Sequence, residues 1–203
     1  VDYASPFDFA ALRTFWGGLS LFLGLVWHCR GRWRGLGLPH WPSTLAYGLL
    51  HSGGTIGFST WALVSGGAGK TALLTYTMSF WTVLFAWLAL GETLHRRQSL
   101  GVSVAGGGLL CLLVPFSLST ALLSKGLAVL AGMCWAAAAV VAKRYPPRDL
   151  LLFAAWQLLL GSLPLVVVSA VLPSPPIQWT PTFVAALLYN IFPGTAIAWL
   201  LWL

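Results

Sequence analysis

The sequence predicts an all-α protein, built as a polytopic bundle of transmembrane helices. Only 7% of its residues are charged and 58% are hydrophobic, whereas a soluble domain has about 25% charged residues with which to cover its surface. Its apolar runs have roughly the 20 residues that a helix needs to cross a bilayer. Its basic residues stand in short clusters between these runs, as they do in the cytoplasmic loops of membrane proteins. We therefore expect lipid to surround most of the chain.

Seven spans follow when the chain is cut at charges, prolines and Gly/Ser clusters. They are residues 9–28, 44–65, 71–91, 98–116, 126–142, 150–172 and 181–203. A β-barrel would show short segments that alternate apolar and polar residues, but these runs are long and continuous. A helix also satisfies its own backbone hydrogen bonds, which a medium without water requires.

The positions of Lys and Arg predict the orientation of the spans. The loops after the first, third and fifth spans hold three, two and three basic residues, while the opposite loops hold only Lys70 and Lys125. Because cytoplasmic loops are enriched in Lys and Arg, the Arg-rich loops are expected to be cytoplasmic.

The chain also contains three short internal matches, which predict a repeat. Pro6-Phe7-Asp8 matches Pro147-Arg148-Asp149 at a spacing of 141 residues, Trp41 matches Trp179 at 138, and Gly54-Thr55 matches Gly194-Thr195 at 140. A unit of about 140 residues contains five spans, so that successive copies insert with opposite orientation, an inverted repeat typical of transporters. The register assigns residues 1–116 to a first repeat that lacks its first helix, and 125–203 to a second that lacks its last two. The chain is thus expected to be seven helices of a ten-helix protein.

One long motif resembles a known family. Gly69-Lys70-Thr71-Ala72-Leu73-Leu74-Thr75-Tyr76-Thr77 through Leu90-Gly91-Glu92-Thr93-Leu94, followed by Gln98, Gly101 and the glycines at 106–108, is similar to the EamA family of the drug/metabolite transporter superfamily. The segments 9–13 and 126–135 extend the likeness over nearly the whole chain. One departure is Ser79, which stands where the family often has a proline that kinks the helix.

The resemblance implies ten helices in two inverted repeats, a central substrate cavity, and export of a metabolite, amino acid or drug-like solute from a bacterial cytoplasm across the inner membrane. We expect the two repeats to work by alternating access. The expected partners are the lipid bilayer and a small-molecule substrate, and association of two copies stays open. A non-transporting membrane scaffold or assembly subunit is the alternative function. We expect no enzyme and no cofactor.

Polar stripes on two spans are the main candidates for a solute site. His51, Thr55 and Ser59 recur every fourth residue on the second span, and this spacing places them on one helix face. The third span carries Thr71, Thr75, Ser79 and Thr82 in a similar pattern. Hydroxyl groups in membrane helices also bond to their own backbone or hold helices together, which is the alternative interpretation.

Charged and aromatic residues add further candidates. His51 is ionisable within a span, and because an unperturbed histidine titrates close to neutral pH, it is a candidate for proton or substrate handling. Arg13 either reaches the headgroups or pairs inside the membrane. Glu92 is expected to be structural or gating, in an ion pair with Arg96 four residues on. Five residues are candidates for lining a cavity or, alternatively, for facing lipid: Tyr76, Trp81, Trp135, Tyr189 and Asn190.

Several other activities are not supported by the pattern. The basic residues form no continuous stripe with aromatic residues, which argues against nucleic acid. Neither the three cysteines nor the four histidines have metal-ligand spacing. The segment 66–71 resembles a phosphate-binding loop, but Val64 replaces its first glycine, and the Ser103 segment lacks the His and acid of a hydrolase. Small residues such as Gly53 and Gly132 are instead expected to let helices approach closely.

Overall fold

The computed structural model describes residues 3–28, 39–93, 95–113, 121–198 and 201, and these are mostly helical, with non-helical connections such as 145–149 and 172–180. The helices are α1 (Pro6–His28), α2 (Trp41–Gly48), α3 (Ile56–Gly66), α4 (Ala68–Thr75), α5 (Met78–Leu90), α6 (Arg96–Leu113), α7 (Ala121–Arg144), α8 (Leu150–Val171) and α9 (Pro181–Ile191). Two π-helical segments follow α2 and α9, π1 (Leu49–Thr55) and π2 (Phe192–Ile197). The arginines at positions 30, 32 and 34, and the ends of the spans predicted at 98–116 and 181–203, lie outside the described residues.

The predicted all-α transmembrane bundle is confirmed. Among the described residues, four helical stretches are long and apolar enough to cross a membrane, and the shorter apolar helix at Pro181–Ile197 follows them. The four stretches are Pro6–His28, Ala68–Leu90, Leu122–Arg144 and Leu150–Val171. The second predicted span is continuous from Trp41 to Gly66 but contains π1. α7 begins before its predicted start, so Lys125 lies buried inside this helix and not in a loop.

Polar side chains cap the first turns of α1, α8 and α9, which begin at or within three residues of the predicted starts of their spans. The Ser5 hydroxyl accepts hydrogen bonds from the backbone N–H groups of Phe7 and Asp8 at 3.2 and 3.4 Å. The Asp149 carboxylate accepts from Leu152 N–H at 3.0 Å, and the Thr180 hydroxyl accepts from Phe183 N–H at 3.3 Å. Each cap satisfies donors that the first turn of a helix leaves open.

Two compact units divide the chain. The first unit contains residues 1–53 and 145–203, in which α1 packs along α8 and against α9. Its core includes Leu21, Leu158 and Phe183. The second unit contains residues 54–144, in which α7 packs against α3, α4 and α5 around Ala62, Leu74 and Ala128. Each unit takes helices from both predicted repeats, and the repeat boundaries stay a prediction.

Candidate functional site

A cavity of about 350 Å³ opens in the second unit, and we call it the α3–α7 cavity. Its size lies at the lower end of the range of small-molecule sites, about 300–1,000 Å³. Four of its residues carry aliphatic hydroxyls: Thr55 at the end of π1, Ser59 on α3, and Thr71 and Thr75 on α4. The other six are Leu63, Ala68, Ala72, Tyr76, Met78 and Trp135. None of these ten residues is charged.

The protons of three cavity hydroxyls are directed at backbone carbonyls. Thr55 Oγ1 donates across to Ala131 O of α7 at 3.2 Å. Ser59 Oγ donates to Ile56 O at 3.1 Å, and Thr75 Oγ1 donates to Thr71 O at 2.9 Å. The sequence left two interpretations of these hydroxyls open, bonding to backbone or lining a solute site. In the structure these three hydroxyls bond to carbonyls, and their residues line the cavity. Binding of a solute there stays a prediction.

A break between α4 and α5 shapes one side of the cavity. The third predicted span is interrupted after Thr75, where Thr77 N–H bonds to Leu74 O at 3.2 Å and the Thr77 hydroxyl bonds to the same carbonyl at 2.6 Å. α7 approaches the break at Gly132, where a Cβ atom would lie 2.9 Å from Thr75 O. Glycine therefore permits this approach, as predicted. The interruption lies at Tyr76 and Thr77, before Ser79, and involves no proline.

The break separates residues that the sequence placed on one stripe. Thr71 and Thr75 line the α3–α7 cavity, whereas Ser79 is exposed and is not among the residues that line it. Thr82 lines a different cavity of the second unit. The exposed Tyr76 lies in the break itself and forms part of the cavity wall.

Four predicted site residues belong to the first unit and are not among the lining residues. The His51 ring stacks on Tyr47 with centroids 5.2 Å apart and an angle of 12°, and Tyr47 meets Phe153 edge-on at 4.9 Å. Asn190 Nδ2 donates to Ala186 O at 2.9 Å, and Tyr189 is exposed. Arg13 lies half-buried within α1.

The expected ion pair of Glu92 with Arg96 is wrong. Glu92 Oε1 lies 2.5 Å from Lys143 Nζ at the end of α7. Gly91, with φ of 67°, ends α5 before Glu92, so Glu92 and Arg96 do not share the regular helix turn that the i, i+4 argument assumes. Glu92 and Lys143 line the other cavity of this unit, of about 550 Å³, together with His95.

Sequence reasoning missed two buried polar contacts in the first unit. Asp8 is buried at the start of α1, where its carboxylate accepts from the hydroxyls of Ser169 and Ser174. Gln157 is fully buried on α8, and its Oε1 accepts from Ser52 Oγ at 2.8 Å. Two features of the sequence could have indicated these contacts: the chain has only four acidic residues, and Gln157 is the single amide in the predicted span 150–172.

Metal ligation has no support among the described residues, where no three His, Cys, Asp or Glu side chains lie close enough to hold an ion. The α3–α7 cavity offers hydroxyl, aromatic and thioether groups, so it is suited to non-covalent binding.

The helices and their apolar composition define a multi-pass membrane protein. The model of the EamA-like transporter family matches residues 1–114, and the chain belongs to this family. It is 27% identical over 202 residues to the uncharacterized transporter YoaV of Bacillus subtilis (strain 168), covering 97% of this chain and 68% of the relative. It is also 28% identical to the uncharacterized transporter YvbV of the same organism, covering 98% of this chain and 65% of that relative. The chain thus spans about two thirds of the length of both.

A solved structure titled "Crystal structure of protein" shares the fold. The TM-score is 0.71, and the match covers 96% of this chain and 67% of that chain. At 19% sequence identity, this likeness concerns the fold alone.

Proposed function

We propose that the protein exports a small solute across the inner membrane of a bacterium by alternating access, and that the α3–α7 cavity forms part of the solute's path. The observation that carries the proposal is the grouping of Thr55, Ser59, Thr75, Tyr76 and Trp135 around this one cavity. A solute that leaves water needs polar partners inside the membrane, and the cavity supplies oxygen atoms and aromatic faces within an apolar bundle. Membership of a transporter family and two relatives named as transporters also support it.

The orientation and the remaining site residues belong to the same proposal. The Arg-rich loops face the cytoplasm, and the two inverted repeats open the site to one side and then the other. His51, Ser79, Tyr189 and Asn190 remain candidates for contact with the solute outside the α3–α7 cavity. Arg13 and Glu92 remain candidates for structural or gating roles.

A vesicle assay tests transport. The full-length gene product is reconstituted in liposomes, and efflux of a broad panel of metabolites is compared with that of empty liposomes. Flux equal to that of empty liposomes over the whole panel would favour the scaffold or assembly function over a carrier.

A pair of aromatic variants then tests the cavity. Tyr76→Ala removes a lining side chain and is expected to lower flux about tenfold or more, since a misplaced solute loses its contacts. Trp87→Ala is the matched control, because Trp87 is also exposed on this unit but does not line the cavity. Both variants must insert in the membrane to the wild-type level. Equal flux in the two variants would remove the α3–α7 cavity from the solute's path.

A further inference from the structure

A further cavity lies in the first unit, where residues from the first turns of α2 and α8 line it, and we call it the α2–α8 cavity. Its volume is about 460 Å³, which is within the range of small-molecule sites. Four of its lining residues are buried, and we call them the floor: Ser43 and Thr44 of α2, and Leu152 and Phe153 of α8. None of the residues that line this cavity lines the α3–α7 cavity.

The exposed part of the lining carries one positive and one negative charge. It consists of His40, Tyr145, Arg148 and Asp149, which we call the rim. Neither Arg148 nor Asp149 forms an ion pair with a described residue. The Asp149 carboxylate accepts one hydrogen bond, from Leu152 N–H at 3.0 Å, so it has lone pairs for a further donor. The two charges are thus available to a ligand instead of neutralising each other.

Contacts of His40 hold the rim in this arrangement. Its ring stacks on Tyr145 with centroids 5.5 Å apart and an angle of 18°, which joins the segment before α2 to the segment before α8. The Ser43 hydroxyl donates its one proton to His40 O at 2.9 Å, and His40 Nδ1 lies 3.0 Å from the same hydroxyl oxygen. Nδ1 is therefore the donor in this second contact. The rim is formed before any ligand binds.

The balance of charge favours a zwitterion over an anion or a cation. With His40 neutral, the described lining has no net charge, because Arg148 and Asp149 offset each other. An anion beside Arg148 is repelled by Asp149, and a cation beside Asp149 is repelled by Arg148. A ligand that carries both a phosphate and an ammonium group meets an opposite charge at each end. Guanidinium groups bind phosphate through paired N–H donors, and ammonium groups donate charge-assisted hydrogen bonds to carboxylates.

The position of the cavity favours a lipid as the source of these two groups. Arg148 and Asp149 directly precede α8, one of the helices that are long and apolar enough to span a membrane. The rim therefore lies at the depth of the lipid head groups. Trp41, exposed at the start of α2, and the exposed Tyr145 agree with this depth, because Trp and Tyr are enriched at membrane interfaces. Pockets with basic residues between transmembrane helices bind lipid head groups.

We infer that the α2–α8 cavity binds the head group of a phospholipid with a primary amine, phosphatidylethanolamine. Arg148 binds the phosphate, Asp149 accepts hydrogen bonds from the ammonium, and Leu152 and Phe153 contact the apolar part of the lipid next to the head group. Phosphatidylcholine has no N–H to donate to Asp149, and phosphatidylglycerol brings a negative charge to Asp149 without an ammonium. The inference goes beyond the proposed function and does not depend on it, because the α3–α7 cavity belongs to the other unit.

Binding of single lipids tests the selectivity. The full-length gene product is titrated in detergent, at about pH 8 to keep histidine neutral, and the first bound lipid is quantified by native mass spectrometry. The probes are phosphatidylethanolamine, phosphatidylcholine and phosphatidylglycerol with identical acyl chains. We expect phosphatidylethanolamine to bind about tenfold more tightly than either of the others, which is about 1.4 kcal/mol. Soluble phosphoethanolamine, which lacks the acyl chains, is expected not to displace it at equal concentration.

Three variants assign the binding to the rim. Asp149→Asn removes the negative charge but keeps an oxygen that caps α8, since Asn and Asp are similar caps. We expect it to abolish the preference for phosphatidylethanolamine over phosphatidylglycerol. Arg148→Gln removes the partner of the phosphate and is expected to weaken binding of both lipids about tenfold. Arg97→Gln is the matched control, because Arg97 is also an exposed arginine but does not line this cavity, and it is expected to bind like the wild type.

Four results would overturn the inference. The first three are equal affinity of the wild type for the three lipids, an unchanged preference in Asp149→Asn, and equal binding by Arg148→Gln and Arg97→Gln. The fourth is displacement of phosphatidylethanolamine by an equal concentration of phosphoethanolamine, which would make the cavity a site for a soluble zwitterion. Because lipid binding is measured without transport, a negative vesicle assay would remove the proposed function and leave this inference standing.

Discussion

The crossing of α2 and α8 permits a quantitative prediction about Gly161. A Cβ atom added to Gly161 would lie 2.2 Å from Gly48 O and 2.5 Å from Ser52 Cβ. Since ordinary contact begins at 3.4 Å, the first of these distances is about 1.2 Å too short. The obstructing atom is a backbone carbonyl, so no side-chain rotation relieves the clash, and the two helices must separate by about that amount.

Separation of the helices has two costs. Overpacking of a well-packed interface costs about 1–3 kcal/mol. A shift of about 1 Å also stretches the Ser52–Gln157 hydrogen bond from 2.8 Å beyond bonding distance, and such interhelical bonds in membranes contribute about 0.6–1.7 kcal/mol. We therefore expect Gly161→Ala to lower the free energy of unfolding by roughly 2–4 kcal/mol.

Unfolding of the detergent-solubilised protein, followed by circular dichroism during titration with sodium dodecyl sulfate, measures this effect. Gly101→Ala is the matched control, because no described atom lies within 4 Å of the Cβ position at Gly101 on α6. This control is expected to unfold like the wild type. Equal unfolding free energies for Gly161→Ala and Gly101→Ala would refute the packing argument.

Three further predictions concern polar residues and orientation. Asp8→Ala removes the acceptor of the Ser169 and Ser174 hydroxyls, so we expect a loss of about 1–3 kcal/mol in the same assay, and wild-type stability would contradict this. Glu92→Gln breaks an ion pair whose side chains are 42% and 60% exposed, so we expect a change of at most about 1 kcal/mol; a larger loss would show that the pair is more than a screened surface contact. With the native cysteines replaced, an impermeant maleimide is expected to label Arg97→Cys and Arg148→Cys from one face of the membrane and Lys70→Cys and Ser174→Cys from the other; labelling of both sets from one face would refute the orientation.

The sequence predicted the fold class and the positions of the helices, because hydropathy and turn residues are local signals. α8 and α9 begin at Leu150 and Pro181, the predicted starts of their spans, and α1 begins at Pro6, three residues before its predicted start. The close approach of helices at Gly132 was also predictable, because a residue without a side chain on an apolar helix has few other uses.

The sequence could not predict contacts that depend on which helices become neighbours. Glu92 was expected to pair along its own helix, but the end of α5 at Gly91 places it beside Lys143, which is 51 residues away in the chain. The stripe from Thr71 to Thr82 assumed an unbroken helix, and the break at Tyr76 and Thr77 divides it between two cavities. A helical period is informative only as far as the helix itself continues.

The repeat stays a prediction, and the two π segments contain residues that match in it. π-helical turns are rare and frequently lie at functional sites. Here π1 contains Gly54-Thr55 and π2 contains Gly194-Thr195, the pairs that match at a spacing of 140 residues. Two rare distortions at equivalent positions are expected if one ancestral unit was duplicated, whereas independent distortions have no reason to share a register. Because Thr55 lines the α3–α7 cavity, the same reasoning makes the segment around Thr195 a candidate for an equivalent role. The Thr195 hydroxyl donates to the carbonyl of Asn190, another candidate residue, at 2.8 Å.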